Sequence, residues 1–239
     1  KCFHQDYHLV PMLGAKVIVP KEVPLRTVLE NLRQLEDEDP MLGVSFEESL
    51  QEIQIRVMGE IQLEVLREVC KERFSLDISF GDCQVLYRET IAEEVVGYGH
   101  YEPLRHYAEV HLRLSPAPRG SGISFDSECP TDILAQNWQN LVRTHVFEKK
   151  HKGVLTGSEL CDVKVTLLTG RSHLKHTEGG DFREATYRAI RQGLEQLLHQ
   201  DKMILLEPYY AFSISLESEQ AGRLMADLQR MECSFGSPQ

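Results

Sequence analysis

The sequence predicts an α+β protein assembled from more than one small domain, with helices covering one face of antiparallel sheets. Three observations predict it. Apolar residues switch between helical spacing and strict alternation several times along the chain, which mixes strands and helices within one fold. Turn residues mark the switches, as at Pro20, Asp39-Pro40, Gly59 and Gly81-Asp82. The 239 residues also correspond to one large domain or two to three small ones, at about 100–200 residues each.

The elements of 14–83 follow in order. Residues 15–19 read as a short strand that Pro20 ends. Pro24 opens a helix whose Leu25, Val28, Leu29, Leu32 and Leu35 share one face, and Asp37-Glu38-Asp39-Pro40 stops it. Residues 44–48 and 53–57 read as strands. In the second, Ile53, Ile55 and Val57 alternate with Gln54 and Arg56, which gives one wet face. After Gly59, the residues Ile61, Leu63, Val65, Leu66, Val69 and Cys70 make an amphipathic helix to about Arg73. Residues 76–80 alternate again. The order β-α-β-β-α-β predicts a ferredoxin-like sandwich. Its open sheet face carries Gln54, Arg56, Asp77 and Ser79 rather than aromatics, so bases are not expected to stack there.

A second domain is expected over 84–201. Residues 85–91, 94–98 and 107–114 read as strands, and 116–122 as a turn cluster before a strand at 123–125. Leu134, Trp138, Leu141, Val142 and His145 share one face of a helix that opens near Thr131-Asp132. Residues 162–168 read as a strong strand, 169–180 as a polar loop, and 181–198 as a helix. A third unit, 202–239, has strands expected at 203–207 and 209–216 and a helix near 219–231. It is too short to bury a full core. Residues 1–13 read as the tail of a preceding domain. They show neither an initiator Met nor a signal peptide, so the chain is expected to begin inside a longer protein.

Composition narrows function. Hydrophobic residues make up 41% and charged residues 26%, near globular averages, which excludes disorder for the bulk of the chain. No run of about 18 apolar residues suggests a membrane span. Net charge is −11, which argues against non-specific nucleic-acid binding. The charge is uneven. Residues 14–83 hold 8 Lys and Arg against 15 Asp and Glu, whereas 84–201 hold 14 against 16 with eight of the ten His. Polyanion contact is therefore expected in the second domain. Six Cys lie at least 13 positions apart, without the paired spacing of structural zinc. They are expected to be reduced in a cytoplasmic protein.

Motifs for catalysis are missing. Gly153–Ser158 lacks the Lys and spacing of a phosphate loop, and no GxSxG elbow or HExxH pair occurs. His173-Leu174-Lys175-His176, with His100, His106 and His111, could be read as the metal site of a stand-alone hydrolase. Nothing in the spacing fixes a coordination geometry, and no metal or catalytic residue is expected. The loop 169–180 carries Arg171, His173, Lys175 and His176 within six positions. It reads equally as a contact for structured RNA or as a solvated connector. Arg143, Lys149, Lys150, His151 and Lys152 form a second basic tract. A module binding only protein is the third reading.

Five segments then point to a family. They are Leu35-Glu36-Asp37-Glu38-Asp39-Pro40, Met58-Gly59-Glu60-Ile61-Gln62-Leu63-Glu64-Val65, Val85-Leu86-Tyr87-Arg88-Glu89-Thr90-Ile91, Gly170-Arg171-Ser172-His173 after the strand, and Leu206-Glu207-Pro208-Tyr209. In this order and spacing they resemble elongation factor G-like translational GTPases over nearly the whole chain. The resemblance implies the third domain at 14–83, the fourth at 84–201, with a ribosomal-protein-type fold, and the start of a ferredoxin-like fifth domain at 202–239. Within the family, Tyr101-Glu102-Pro103 with Ala108-Glu109, Pro118-Arg119-Gly120-Ser121-Gly122 and Asp181-Phe182-Arg183 are most similar to the tetracycline-resistance ribosomal protection proteins. Loop 170–178 departs from their Ser/Pro-rich pattern, and His173 aligns with a His at the fourth-domain tip of elongation factor G.

The resemblance implies an arm that enters the A site of the bacterial ribosome. GTP and Mg would bind in an N-terminal domain outside this chain, so the chain itself would be no enzyme and hold no cofactor. The fourth-domain tip would be Arg171, Ser172, His173, Leu174, Lys175 and His176. A second tip loop would comprise Gly99, His100, Tyr101, Glu102 and Pro103. Arg119, Lys149, Lys150 and Lys152 are further candidates for RNA contact. The partners implied are small-subunit rRNA at the decoding centre, with tRNA–mRNA or tetracycline met indirectly. The activity is release of tetracycline from the decoding centre, or alternatively translocation. No membrane is implied, and the protein is expected to be a monomer.

Overall fold

The structure, a computed structural model, describes residues 10–48 and 50–236. The first sheet and its helices comprise β1 (Leu13–Ile18), α1 (Leu25–Glu38), β2 (Ser45–Glu47), β3 (Glu52–Val57), α2 (Glu60–Phe74), β4 (Ser79–Phe80) and β5 (Gln84–Val85). The sheet order β2-β3-β1-β4 is antiparallel throughout, with Leu13 opposite Val57 and Val17 opposite Ile53. That is the ferredoxin-like order the element sequence predicts. Alternation in β3 buries Ile53, Ile55 and Val57, and the spacing in α1 buries Val28, Leu32 and Leu35 against them. The stop at Asp39-Pro40 works as expected: the Asp39 carboxylate accepts from Met41 N at 3.1 Å and Pro40 begins a tight turn.

Two expectations for this domain change. The last strand is shorter, with only Ser79–Phe80 in the ladder, although Leu76 and Ile78 are buried. The edge then resumes beyond the expected boundary at residue 83. Gln84–Val85 pairs with Gly14 and Leu13 on the same side of β1 as β4. The register slips by one residue between the two pieces, a bulge at 81–83. The sequence pattern places Val85 at the opening of the next domain, but its backbone completes this sheet.

The chain then builds β6 (Arg88–Ile91), β7 (Val95–Tyr101), β8 (Ala108–Pro116), β9 (Ile123–Ser127), α3 (Gln136–Phe147), β10 (Glu159–Leu160), β11 (Val163–Ser172), α4 (Gly179–His199) and β12 (Met203–Leu206). A four-stranded sheet runs β7-β8-β11-β9, and a three-stranded one β10-β6-β12. Val110, Leu112, Leu114, Val163, Val165 and Leu167 bury one face of the larger sheet under Phe182, Ala185, Ala189 and Leu194 of α4. The approach is close because β7 carries glycine where it meets the helix. A Cβ at Gly97 would overlap the Ala189 carbonyl oxygen, and one at Gly99 would overlap that of Ala185.

Three boundaries depart from expectation. Strand β11 runs on to Ser172, with a bulge between Leu167 and Thr169. The exposed side chains of Arg171 and Ser172 hide it from an apolar pattern. Helix α3 starts at Gln136, five residues past the expected Thr131 opening. Met203–Leu206 pairs with β6, Met203 opposite Ile91, so it belongs with the preceding domain rather than a third unit.

The second compact unit begins at Tyr209. It contains α5 (Ala221–Arg230), which buries Leu228. No strand forms over 209–216 among the described residues. Alternation marks a face, but a ladder needs a partner strand. The tail expected at 1–13 lies outside the described residues up to residue 9; Leu13 already opens β1.

Candidate functional site

The candidate site is the end of the larger sheet where β7 meets β8 and β11 meets α4. Strands β8 and β11 are antiparallel with Ser172 opposite Ala108. The connection 102–107 and the connection 173–178 therefore leave the same end. They are joined there: Tyr107 N donates to the His176 carbonyl at 2.8 Å, and the Thr177 hydroxyl donates to the Tyr107 carbonyl at 2.6 Å. Helix α4 anchors the second loop. The Asp181 carboxylate accepts from Glu178 N at 2.8 Å and meets His106 Nδ1 at 2.9 Å, so its capping box reaches across to the first loop.

The outer surface of this end is basic and apolar together. The His173 and His176 rings stack at 4.6 Å and 22°. Leu174 and Leu104, one at each turn, are almost fully exposed. Among the described residues Arg105, Arg171 and Lys175 have no ion pair with a carboxylate. The carboxylates nearby are occupied. Glu102 pairs with His100 at 2.9 Å. Glu109 pairs with His111 at 2.8 Å and accepts from Tyr107 Oη at 3.0 Å. The His111 hydrogen bond, and then the Tyr107 one, hold Glu109 below the usual carboxylate range against the opposing effect of burial. Burial and then Glu109 push the Tyr107 phenol up, with Arg171 opposing. Cations without a carboxylate at one end of a sheet can meet phosphates, and exposed imidazoles and leucines can meet base faces and riboses.

The expected second tip loop splits. Only Glu102 and Pro103 lie in it; Gly99, His100 and Tyr101 are strand residues of β7. Gly99 is glycine because α4 crosses it, not because a turn needs it. Tyr101 lies under the Arg188 guanidinium, 5.0 Å from the ring centre, while Arg188 also donates to the His100 carbonyl at 3.0 Å. Arg171 and Ser172 likewise close β11, so the loop proper is 173–178. Sequence reasoning missed Arg105 and Arg188 because each reaches the site from a segment with no basic run.

The other basic candidates are elsewhere. Arg119 is exposed in the turn beyond Pro116, the opposite end of β8 and about 26 Å from Ala108 at 3.3 Å per residue. Lys150 pairs with Glu159 at 3.1 Å and Lys152 with Glu47 of β2 at 3.6 Å. Lys149 lies over the Tyr187 ring at 3.3 Å. These lysines join elements of the protein to one another. The loop 153–158 is occupied too. It wraps the buried Glu89 carboxylate, which accepts from Leu155 N at 2.8 Å, Thr156 N at 2.9 Å, Thr156 Oγ1 at 3.0 Å and Ser158 N at 3.1 Å. Burial raises that carboxyl, but the four donors outweigh it and hold it below its ordinary value. Among the described residues no group of three His, Cys, Asp or Glu side chains could hold a metal, and no helix is long and apolar enough to cross a membrane.

Comparison with known proteins matches this architecture. Residues 11–82 match the family model for elongation factor G domain III, and residues 83–196 that for domain IV. A tetracycline resistance protein, TetP, of Clostridium perfringens is 28% identical over 209 residues, covering 87% of this chain and 31% of that protein. An elongation factor G-like protein of Thermotoga maritima is 27% identical over 222 residues, covering 91% and 32%. A crystal structure of a Thermus thermophilus protein superposes with a TM-score of 0.65 at 25% identity, covering 94% of this chain and 33% of that one. The chain thus spans about a third of the length of these relatives.

Proposed function

The chain belongs to the elongation factor G-like family, of which it carries domains III and IV, and from that premise we propose that it is the ribosome-contacting arm of a translational GTPase. The observation that supports this reading is the tip itself: Arg171 and Lys175 without carboxylate partners, the stacked His173 and His176, and exposed Leu104 and Leu174, all on one end of a rigid sheet. Such an end suits a pocket of structured RNA. The arm enters the A site of the bacterial ribosome in the cytoplasm, as a monomer, and meets small-subunit rRNA at the decoding centre. GTP and Mg bind in a domain outside this chain, and the arm itself performs no hydrolysis. The glycine-bearing loop that most resembles a phosphate cradle, 153–158, is filled by Glu89.

Of the two activities open to such an arm, release of tetracycline is favoured by Tyr101-Glu102-Pro103 and the similarity to TetP. Translocation is favoured by the tip loop Gly-Arg-Ser-His in place of a Ser/Pro-rich one. The test uses the full-length protein with Arg171, His173, Lys175 and His176 all changed to Ala. Folding stays nearly intact, since each change at an exposed site is usually worth less than about 0.5 kcal/mol. Ribosome-dependent activity is lost, and the salt dependence of ribosome binding becomes shallower. Restoration of translation in the presence of tetracycline, measured against a translocation assay, separates the activities. Undiminished activity of the quadruple variant in both assays overturns the reading, as does micromolar GTP binding by this chain alone.

A further inference from the structure

Within 171–178 every residue is exposed except Thr177. Its hydroxyl is turned inward and used twice. It accepts from His173 N at 2.6 Å, closing the loop on itself, and donates to the Tyr107 carbonyl at 2.6 Å, fastening that loop to its neighbour. A hydroxyl offers one donor and two acceptor sites, so one group serves both bonds. Tyr107 is held a second time through its backbone N–H, which donates to the His176 carbonyl at 2.8 Å. His176 N and Thr177 N both donate to the His173 carbonyl, at 3.2 and 3.1 Å. The His173–His176 ring stack sits on this closed turn. We infer that Thr177 is a positioning residue: its hydroxyl locks the loops 102–107 and 173–178 into one body and fixes where the stacked imidazoles face RNA.

This inference rests on the proposal that the tip contacts the ribosome, and its physical basis is preorganisation. A loop already held in its bound shape loses less conformational freedom when it docks. Two loops fastened to one another present their cations and rings at a constant spacing. Thr177 touches no ligand itself, because its side chain is covered by the turn it closes.

The test compares Thr177→Val, which keeps the shape and removes the hydroxyl, with Thr177→Ser, which keeps the hydroxyl, in the full-length protein. Amide exchange at His173 is expected to quicken about fivefold in Thr177→Val, as a hydrogen bond worth about 1 kcal/mol is lost, and to stay near wild type in Thr177→Ser. Ribosome affinity from pelleting at several salt concentrations is expected to fall in Thr177→Val and recover in Thr177→Ser. The slope against salt stays unchanged, because Arg171 and Lys175 remain. Unchanged exchange in Thr177→Val overturns the inference. So does quickened exchange with wild-type affinity, if the quadruple tip variant loses affinity in the same assay. If the quadruple variant also keeps full affinity, the ribosome reading fails, and the exchange data alone decide whether the hydroxyl locks the loops.

Discussion

Thr156 holds Glu89 with both its backbone N–H and its hydroxyl, at 2.9 and 3.0 Å on the same carboxylate oxygen. The loop that encloses this buried carboxylate thereby satisfies it with neutral donors, and Gly153 leaves the room: a Cβ there would overlap the carboxylate.

This loop predicts a pH dependence. Glu89 is held below its ordinary carboxyl value in the folded state. Its contribution is therefore complete above the unfolded value and is lost as the pH falls through the lower, folded one. Glu89→Gln, which puts an amide N–H₂ among donors, is expected to cost about 1–3 kcal/mol at neutral pH. It should also flatten the fall in stability on acidification. Denaturant melts between neutral and acid pH check both; an equal slope in the two proteins would count against the argument.

Glu148 and Tyr187 make a second, opposed pair. A hydrogen bond from the Tyr187 hydroxyl lowers Glu148 to about 2, with burial opposing and with His145 and Arg183 adding to the effect. Burial and then Glu148 push Tyr187 up to about 12. The Glu148 contribution is present above its ordinary value of 4.5 and fades as the pH falls towards 2. The Tyr187 contribution is present below 10 and fades as the pH rises towards 12. In an ultraviolet absorbance titration of the native protein, Tyr187 should contribute a late component near its raised value of about 12, beside the smaller upward shift of Tyr107. In Tyr187→Phe the component near 12 should vanish while that of Tyr107 remains.

The glycines of the helix–sheet contact give a contrast. Gly99→Ala forces a methyl against the Ala185 carbonyl and is expected to cost about 1–3 kcal/mol or more as α4 moves away. Gly180, in the first turn of α4, has nothing within 4 Å of an added Cβ. Gly180→Ala is expected to be neutral or stabilising by up to about 1 kcal/mol, since alanine favours the helix. Thermal melts of the two variants should move in opposite directions, or the second not at all.

Trp138, the one tryptophan of the sequence, stacks on buried Phe182 with ring centres 5.2 Å apart at 28°. It is half-buried and packs on the core rather than facing solvent with a stacking surface. Trp138→Ala is expected to cost about 2–3 kcal/mol, less than full burial would give. Its emission should be blue-shifted and poorly accessible to an ionic quencher, and should redden on unfolding.

The sequence was most legible where apolar spacing alone decides structure. The stripe Val28, Leu32, Leu35 and the alternation of Ile53, Ile55 and Val57 mark elements whose faces are buried as read. It was least legible where one residue type serves two purposes. Gly99 reads as a turn and is a packing site. Arg171 and Ser172 read as loop because strand residues at a solvent end need no apolar pattern. Alternation without a neighbour is no guide either: Tyr210, Phe212, Ile214 and Leu216 alternate, but no partner strand is present among the described residues. In the candidate site the basic tract was visible as a run. Arg105, Arg188 and Thr177 were not, because their parts depend on which segments the sheet brings together.

The continuation of the first sheet into β5 has a mechanical consequence. Gln84–Val85 is paired with Leu13 and Gly14, and Leu86 N donates to the Met12 carbonyl at 2.9 Å. The root of the arm is therefore stitched to the central strand β1, and the Arg56–Glu159 pair at 3.5 Å braces it from the side. A sideways load on the tip cannot be absorbed by a slack tether at 84–86. It arrives as shear along β1, across the Leu13–Val85 and Gly14–Gln84 pairs.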